Sequence, residues 1–346
     1  MNNALRSRRE PYFDNLKGVL IILVVLAHFL GKGNVKESVM LQSIILFIYS
    51  FHMPLFAFVS GYFSKNVHKS KKSALEDLLI IYVIAETSWA MFNLVVYGDD
   101  YYIRNIFMPG YSLWYVVALF LWRVTLKSFI KIKGAILISA LLSALIMLIS
   151  SPSEIILGLE RVVGFHIYFL LGYYCNGNAI ERIKKIKASL AFAILALMFV
   201  ATYVFLSFGI LDFSSSKEVM MHQLSIQSFP SIALGLSVYL LAIPLALGIG
   251  VLVLAAVSES ESFISSIGRD TLPLYLSHTY VVKLTGSLNN YFGGSSLPFE
   301  VSFLILLSAA TILMFSSRSY RAGFYKFINN LKEISWELGF KRLLKS

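Results

Sequence analysis

Charge is scarce in this chain. Asp, Glu, Lys and Arg make up 14% of its 346 residues, too little to solvate the surface of a water-soluble domain of that size. Cysteine is nearly missing: Cys175 stands alone, which excludes a disulfide framework and a thiolate metal site. There is no G-x-S-x-G elbow, no H-E-x-x-H pair and no phosphate-cradling glycine loop, so serine hydrolases, zinc hydrolases and P-loop enzymes are excluded by their own signatures. Nor does one half of the sequence repeat the other, as the halves of many transporters do.

What is present is apolar. Hydrophobic residues reach 57% and the mean hydropathy is +0.73. Runs long enough to cross a hydrocarbon core of about 30 Å recur along the whole length. About ten spans are predicted, at 15–32, 41–63, 76–97, 111–130, 134–151, 162–176, 188–210, 231–257, 271–287 and 299–316. The expected fold is an all-α integral membrane protein, one polytopic domain over residues 1–346 with both termini cytoplasmic. The stretch "SEIILGLE" before the short sixth span reads as a loop or a re-entrant piece, and Pro244 suggests a kink in the eighth. The basic N-terminus lacks a small-residue cleavage site and is expected to be retained.

The net charge of +11 has the sign that nucleic acid attracts, but its placement excludes that partner. With a cytoplasmic N-terminus, 24 of the 30 Lys and Arg residues fall on inside segments, and Lys32, Lys36, Arg104, Arg161, Lys217 and Lys283 fall outside. This is the positive-inside rule. It makes residues 1–13 and 317–346 basic cytoplasmic ends and points to a multi-pass plasma-membrane protein. The clusters "KNVHKSKK" and "RIKKIK" suit acidic lipid headgroups or an anionic cosubstrate.

Against this background the ionisable residues inside spans need a reason, because each costs about 2.5–3.5 kcal/mol on insertion. They are His28, His52, Glu86, His166 and His278, with Arg123 and Arg161 near span ends. At 100° and 1.5 Å per residue, Lys17 and His28 lie about 20° and about 16 Å apart on one helix face, and Asp14 falls about 40° from His28 on the other side. One stripe thus joins a cytoplasmic carboxylate and ammonium to an imidazole deep in the span, as a channel entered from the cytoplasm would require. Neutral imidazole can take a proton from a hydroxyl that attacks a carbonyl. A buried histidine can equally be a satisfied structural residue. For His52, beside Pro54, that means satisfying carbonyls freed at a helix break.

Five blocks, "YFDNLKGVLIILVVLAHF", "FHMPLFAFVSGYF", "YSLWYVVALFLWR", "FHIYFLLGYY" and "IGRDTLPLYLSHTY", resemble in order those of the membrane acyltransferase-3 family, notably members similar to fucose 4-O-acetylase and capsular polysaccharide O-acetyltransferases. The resemblance implies about ten helices and transfer of an acetyl group from cytoplasmic acetyl-CoA to a sugar hydroxyl of a surface polysaccharide or its lipid-linked precursor. The family's first-helix pattern, a basic residue and a histidine eleven positions on, falls on Lys17 and His28. Lysine replaces the commoner arginine and lacks its bidentate fork.

The resemblance therefore implies His28 as base or transient acyl carrier and His278 as second catalytic residue. Lys17, Asp14 and Arg123 are expected on the CoA side, and His52, Glu86, Arg161 and Trp114 on the acceptor side. Glu86 is expected to orient a histidine or pair with Arg123, and Tyr111 and Trp114 are possible sugar-stacking platforms. No metal is expected. Ending at residue 346 without a fused hydrolase-like domain, the chain is expected to acetylate its acceptor itself or hand the group to another protein. The contrasting readings are a glycan or glycolipid transporter or flippase and a non-catalytic scaffold.

Overall fold

Every regular element among the residues that the computed structural model describes, 10–105, 107–148, 156–288 and 296–337, is a helix. Arg6, Arg8, Arg9, the start of "SEIILGLE" and the end of the tail lie outside them. The order is α1 (Pro11–Leu30), α2 (Val39–Tyr49), α3 (His52–Tyr62), α4 (Val67–Ser73), a π turn at Ala74–Leu78 leading into α5 (Leu79–Tyr97), and the single turn α6 (Tyr101–Arg104). Then come α7 (Trp114–Phe129), α8 (Ala135–Leu145), α9 (Leu159–Tyr174), α10 (Gly177–Lys184), α11 (Ala188–Ser207) and α12 (Phe213–Met220). The last are α13 (Ile232–Ala256), α14 (Phe263–Gly268), α15 (Leu272–Leu288), α16 (Leu297–Ser316) and α17 (Arg318–Glu337).

Seven helical runs have the length and apolarity to cross a membrane: α1, Val39–Tyr62, Val67–Tyr97, Ile156–Tyr174, α11, α13 and α16. The other three expected spans fall on shorter helices, α7 with 16 residues, α15 with 17, and the apolar run Ala135–Leu148. On α11, Leu190, Phe192, Leu197 and Val200 are more than half exposed, an outward face that water would not tolerate and lipid would. α13 runs unbroken through Pro244.

The predicted span 41–63 is broken. Pro54 has no N–H for the Ser50 carbonyl, so the helix stops at Tyr49 and restarts at His52. His52 Nδ1 donates to Ile48 O at 2.7 Å, a carbonyl beside the break that also accepts from Phe51 N at 3.3 Å.

Two crossings set the positions of the functional side chains. α3 and α9 meet through reciprocal glycines: a Cβ on Gly61 would stand 1.9 Å from Phe169 O, and one on Gly172 1.9 Å from Phe58 O. α1 and α14 meet likewise, with Gly18 against Ile264 O and Gly268 against Asp14 O. Lipid supplies no hydrophobic drive between helices, so such close backbone packing carries the association. Gly172→Ala, whose methyl faces backbone rather than a movable side chain, should destabilise the fold by about 2 kcal/mol, read as a lower melting temperature in detergent.

α1 is the core helix, with Leu16, Leu20, Ile21, Val25 and Phe29 fully buried. α14 lies beside Asp14–Gly18, and α15 rises from it alongside α1. His278 stands ten residues past Gly268, and His28 ten past Gly18. The rise from Gly18 to His28 within α1 is about 15 Å, whereas α15 starts only at Leu272, after the non-helical Arg269–Thr271, and brings His278 to His28.

Candidate active site

His28, in the last turn of α1, and His278, buried in α15, are in direct contact: Nδ1 of His28 lies 2.9 Å from Nε2 of His278, with the ring planes 12° apart. The tautomers follow from the outer partner. His278 Nδ1 lies 3.0 Å from Leu274 O, a group that can only accept. That nitrogen therefore carries the proton, and Nε2 of the neutral ring is an acceptor. His28 donates from Nδ1, so the Nε2 of His28 is left with its lone pair.

The His28 ring lines a cavity of about 400 Å³, with His278 behind it. Its walls come from the ends of helices remote from Lys17: His28 and Val24 of α1, Tyr49 and His52 at the α2–α3 break, Tyr111 and Trp114 before and at the start of α7, Arg161 in the first turn of α9, Lys217 of α12 and Tyr275 of α15. Tyr111 packs edge-on over His28 with ring centres 5.2 Å apart. It holds a left-handed φ of 41°. Its neighbour Gly110 is pressed against Trp89, where a Cβ would meet Cδ1 at 2.1 Å. Arg161 lies over the Trp114 ring at 5.1 Å, and its Nε donates to Glu160 Oε1 at 3.0 Å. Leu157, with φ 62°, donates its N–H to Phe107 O at 2.7 Å, which ties the start of α9 to the loop that carries Tyr111. Among the described residues of the cavity walls there is no Asp or Glu.

A family model described as "Acyltransferase domain" matches residues 10–317. The chain belongs to the acyltransferase-3 family. It is also similar to the nodulation protein NolL of Sinorhizobium fredii, 26% identical over 302 residues, which cover 82% of this chain and 81% of the relative. No solved structure matches. The protein is thus an acyltransferase, and its apolar helices agree with a place in a membrane.

In this acyltransferase five expected residues, His28, His52, Trp114, Arg161 and the potential platform Tyr111, line one cavity, and His278 backs it through His28. The others stand elsewhere. Lys17 Nζ is 2.8 Å from Asp14 Oδ1, an i,i+3 pair on α1. Among the described residues the nearby cavity takes in Glu10, Asp14, Glu259, Glu261 and Arg269, with more carboxylates than cations. The stripe between Lys17 and His28 is not an open channel: Ile21 and Val24 occupy it at 0% and 1% exposure.

Glu86 neither orients a histidine nor pairs with Arg123. Its carboxylate accepts from Gly110 N at 3.0 and 3.2 Å, which makes it a support for the Tyr111 loop. Arg123 sits lower on α7 with a buried Nε that lacks a hydrogen-bond partner among the described residues. His166 bonds Ser139 at 2.9 Å and packs on Phe129 and Phe169, a structural role.

Sequence reasoning left Tyr49, Lys217, Tyr275 and Asn15 without roles. Tyr275 donates its hydroxyl to Ser112 O behind the cavity. Asn15 clamps the 258–262 loop, its amide donating to Ser258 O at 2.8 Å and Ser260 O at 2.7 Å while its oxygen accepts from Ser262 at 2.6 Å. Its place beside Asp14 in "FDNLKG" was the available signal for a polar anchor at the base of α1.

Proposed function

We propose that this acyltransferase moves an acetyl group from cytoplasmic acetyl-CoA to a hydroxyl of a sugar in a surface polysaccharide or its lipid-linked precursor, with His28 as the base. The main support is the 2.9 Å contact between His28 and His278 together with the Leu274 carbonyl that fixes the tautomers. Nε2 of His28 takes the acceptor's proton as the hydroxyl oxygen attacks the thioester carbonyl. The new C–O bond forms, the C–S bond breaks, and the proton passes from His28 to the departing CoA sulfur. The imidazolium that exists in between donates a charge-assisted hydrogen bond to His278 Nε2, stronger than the neutral one it replaces. A transient acetyl-histidine would use the same Nε2. A burst of covalently acetylated protein, lost in His28→Ala, distinguishes that route.

In the ten-span topology with cytoplasmic ends, the cavity opens on the outer side and the donor comes from the opposite one. With the α1 stripe filled, α7 offers the alternative line. Arg123 stands eight residues, about 12 Å, below Tyr115. The Tyr115 ring lies 6.1 Å from Tyr275, and Tyr275 lies 6.1 Å from His278. A buried guanidinium edge without an acceptor is unfavourable by about 1–3 kcal/mol, and a CoA phosphate would relieve it. Lys69, Lys71 and Lys72 sit on α4, which packs on α7. Arg123→Ala should raise KM for acetyl-CoA about tenfold, the loss of one charge-assisted contact, while kcat stays within about twofold. Steady-state kinetics with the donor varied will show it.

The overall reading is tested by incubating the purified protein with radiolabelled acetyl-CoA and carbohydrate acceptors. Label that becomes alkali-labile ester on the carbohydrate supports it. Sugar uptake or flipping without transfer would refute it.

A further inference from the structure

We infer that the acceptor presents a phosphate group to this cavity, and that Arg161 and Lys217 hold it while the sugar lies against Trp114 and Tyr111. The inference rests on the acyl-transfer reading above and names the chemical class of its acceptor.

Two cations reach the cavity from separate elements, α9 and α12, and among the described residues no carboxylate lines it. Neutral sugars are commonly gripped by acidic side chains that accept from their hydroxyls. This cavity offers the opposite sign. Glu160 does not alter that. It is fully buried, and it engages Nε, the inner edge of Arg161. There it offsets the cost of burying the guanidinium and fixes its plane over Trp114. The terminal guanidinium nitrogens make no hydrogen bond among the described residues. They form the edge that pairs with two oxygens of one oxyanion.

Lys217 makes no ion pair among the described residues. Its ammonium rests 6.0 Å from the Tyr49 ring and 5.8 Å from Phe213, and Lys32 adds positive potential 5.8 Å over Tyr111. A planar fork from one wall and a compact ammonium from another suit a tetrahedral group with several terminal oxygens better than a flat carboxylate. At about 400 Å³ the space is near the small end of ligand pockets, about 300–1,000 Å³. That is room for one sugar and its phosphate rather than for a length of polymer. Both a membrane-anchored glycosyl phosphate and a soluble one share this chemistry.

The test is binding to the purified full chain in detergent, read by calorimetry with four probes: inorganic pyrophosphate, glucose 1-phosphate, farnesyl-phosphoglucose and methyl glucoside. Wild type should bind the three phosphates at least tenfold more tightly than methyl glucoside, more weakly as salt rises. Lys217→Gln should lose about tenfold in each phosphate affinity. So should the double variant Glu160→Gln/Arg161→Gln, which leaves no buried carboxylate unpaired. Tighter binding of the farnesyl probe than of glucose 1-phosphate assigns the phosphate to a lipid carrier, and equal binding assigns it to a soluble glycosyl phosphate.

Methyl glucoside binding as well as glucose 1-phosphate, failure of all three phosphates to bind, or wild-type affinities in both variants would each overturn the inference. His28→Ala should retain phosphate binding. Lost binding selectivity with intact acetyl transfer therefore defeats only the phosphate assignment, and intact binding without any transfer defeats only the acyl-transfer reading.

Discussion

His28→Ala is expected to lower acetyl transfer about a thousandfold, within the range of about 10²–10⁴ that a positioned general base supplies, while the protein still folds. The fold should survive because the ring is only partly buried and adjoins the cavity, so its removal enlarges an existing space. What it leaves behind is His278 Nε2 without its donor, a penalty of about 1–3 kcal/mol that should appear as a modest fall in melting temperature. His28→Gln restores bulk without a base and should be as inactive. Added imidazole, small enough for the vacated space, should recover part of the activity of the alanine variant. Retention of more than a tenth of wild-type turnover by the alanine variant would rule out His28 as the base.

Much of this centre was legible in the sequence. The apolar runs announced the helices, and one histidine in the run from 17 to 32 stood out as an ionisable side chain at membrane depth. Its contact with His278 was not legible from periodicity, because 250 residues separate the two. The juxtaposition arises from the close packing of Gly18 and Gly268. Nothing in the spacing of either segment marks that crossing, and the break at Arg269–Thr271 between α14 and α15 hides it further.

Lys17 shows the opposite case. Its charge was conspicuous, yet Asp14 three residues back was a sufficient partner, and the stripe between Lys17 and His28 is filled by the same apolar side chains that make α1 the core helix. Glu86 could be recognised as needing a partner, but a backbone N–H in a loop 24 residues away leaves no pattern in composition or spacing. Lys217 had least signal of all. A lysine in a loop between spans is ordinary, and only the fold turns it toward the cavity that His28 shares.

His278→Ala is the other change expected to have a large effect, about a hundredfold on kcat, with KM for the acceptor little altered. In the proposed mechanism His278, its Nδ1 committed to Leu274 O, has no proton to exchange with substrate and acts through His28 by holding Nδ1–H and by accepting from the imidazolium. This is the role of the third member of a nucleophile–base–orienter set, filled here by a neutral ring instead of a carboxylate. The distinction from simple packing lies in which replacement rescues. His278→Gln, whose amide oxygen can accept from His28 Nδ1–H, should recover at least tenfold over alanine. His278→Leu fills comparable volume, cannot accept, and should remain near the alanine level. It should also shift the tautomer of His28, which a ¹⁵N spectrum of labelled histidine reports directly. Equal activity of the glutamine and leucine variants would mean that His278 only fills space, and the orientation of the base would then have to come from the cavity walls alone.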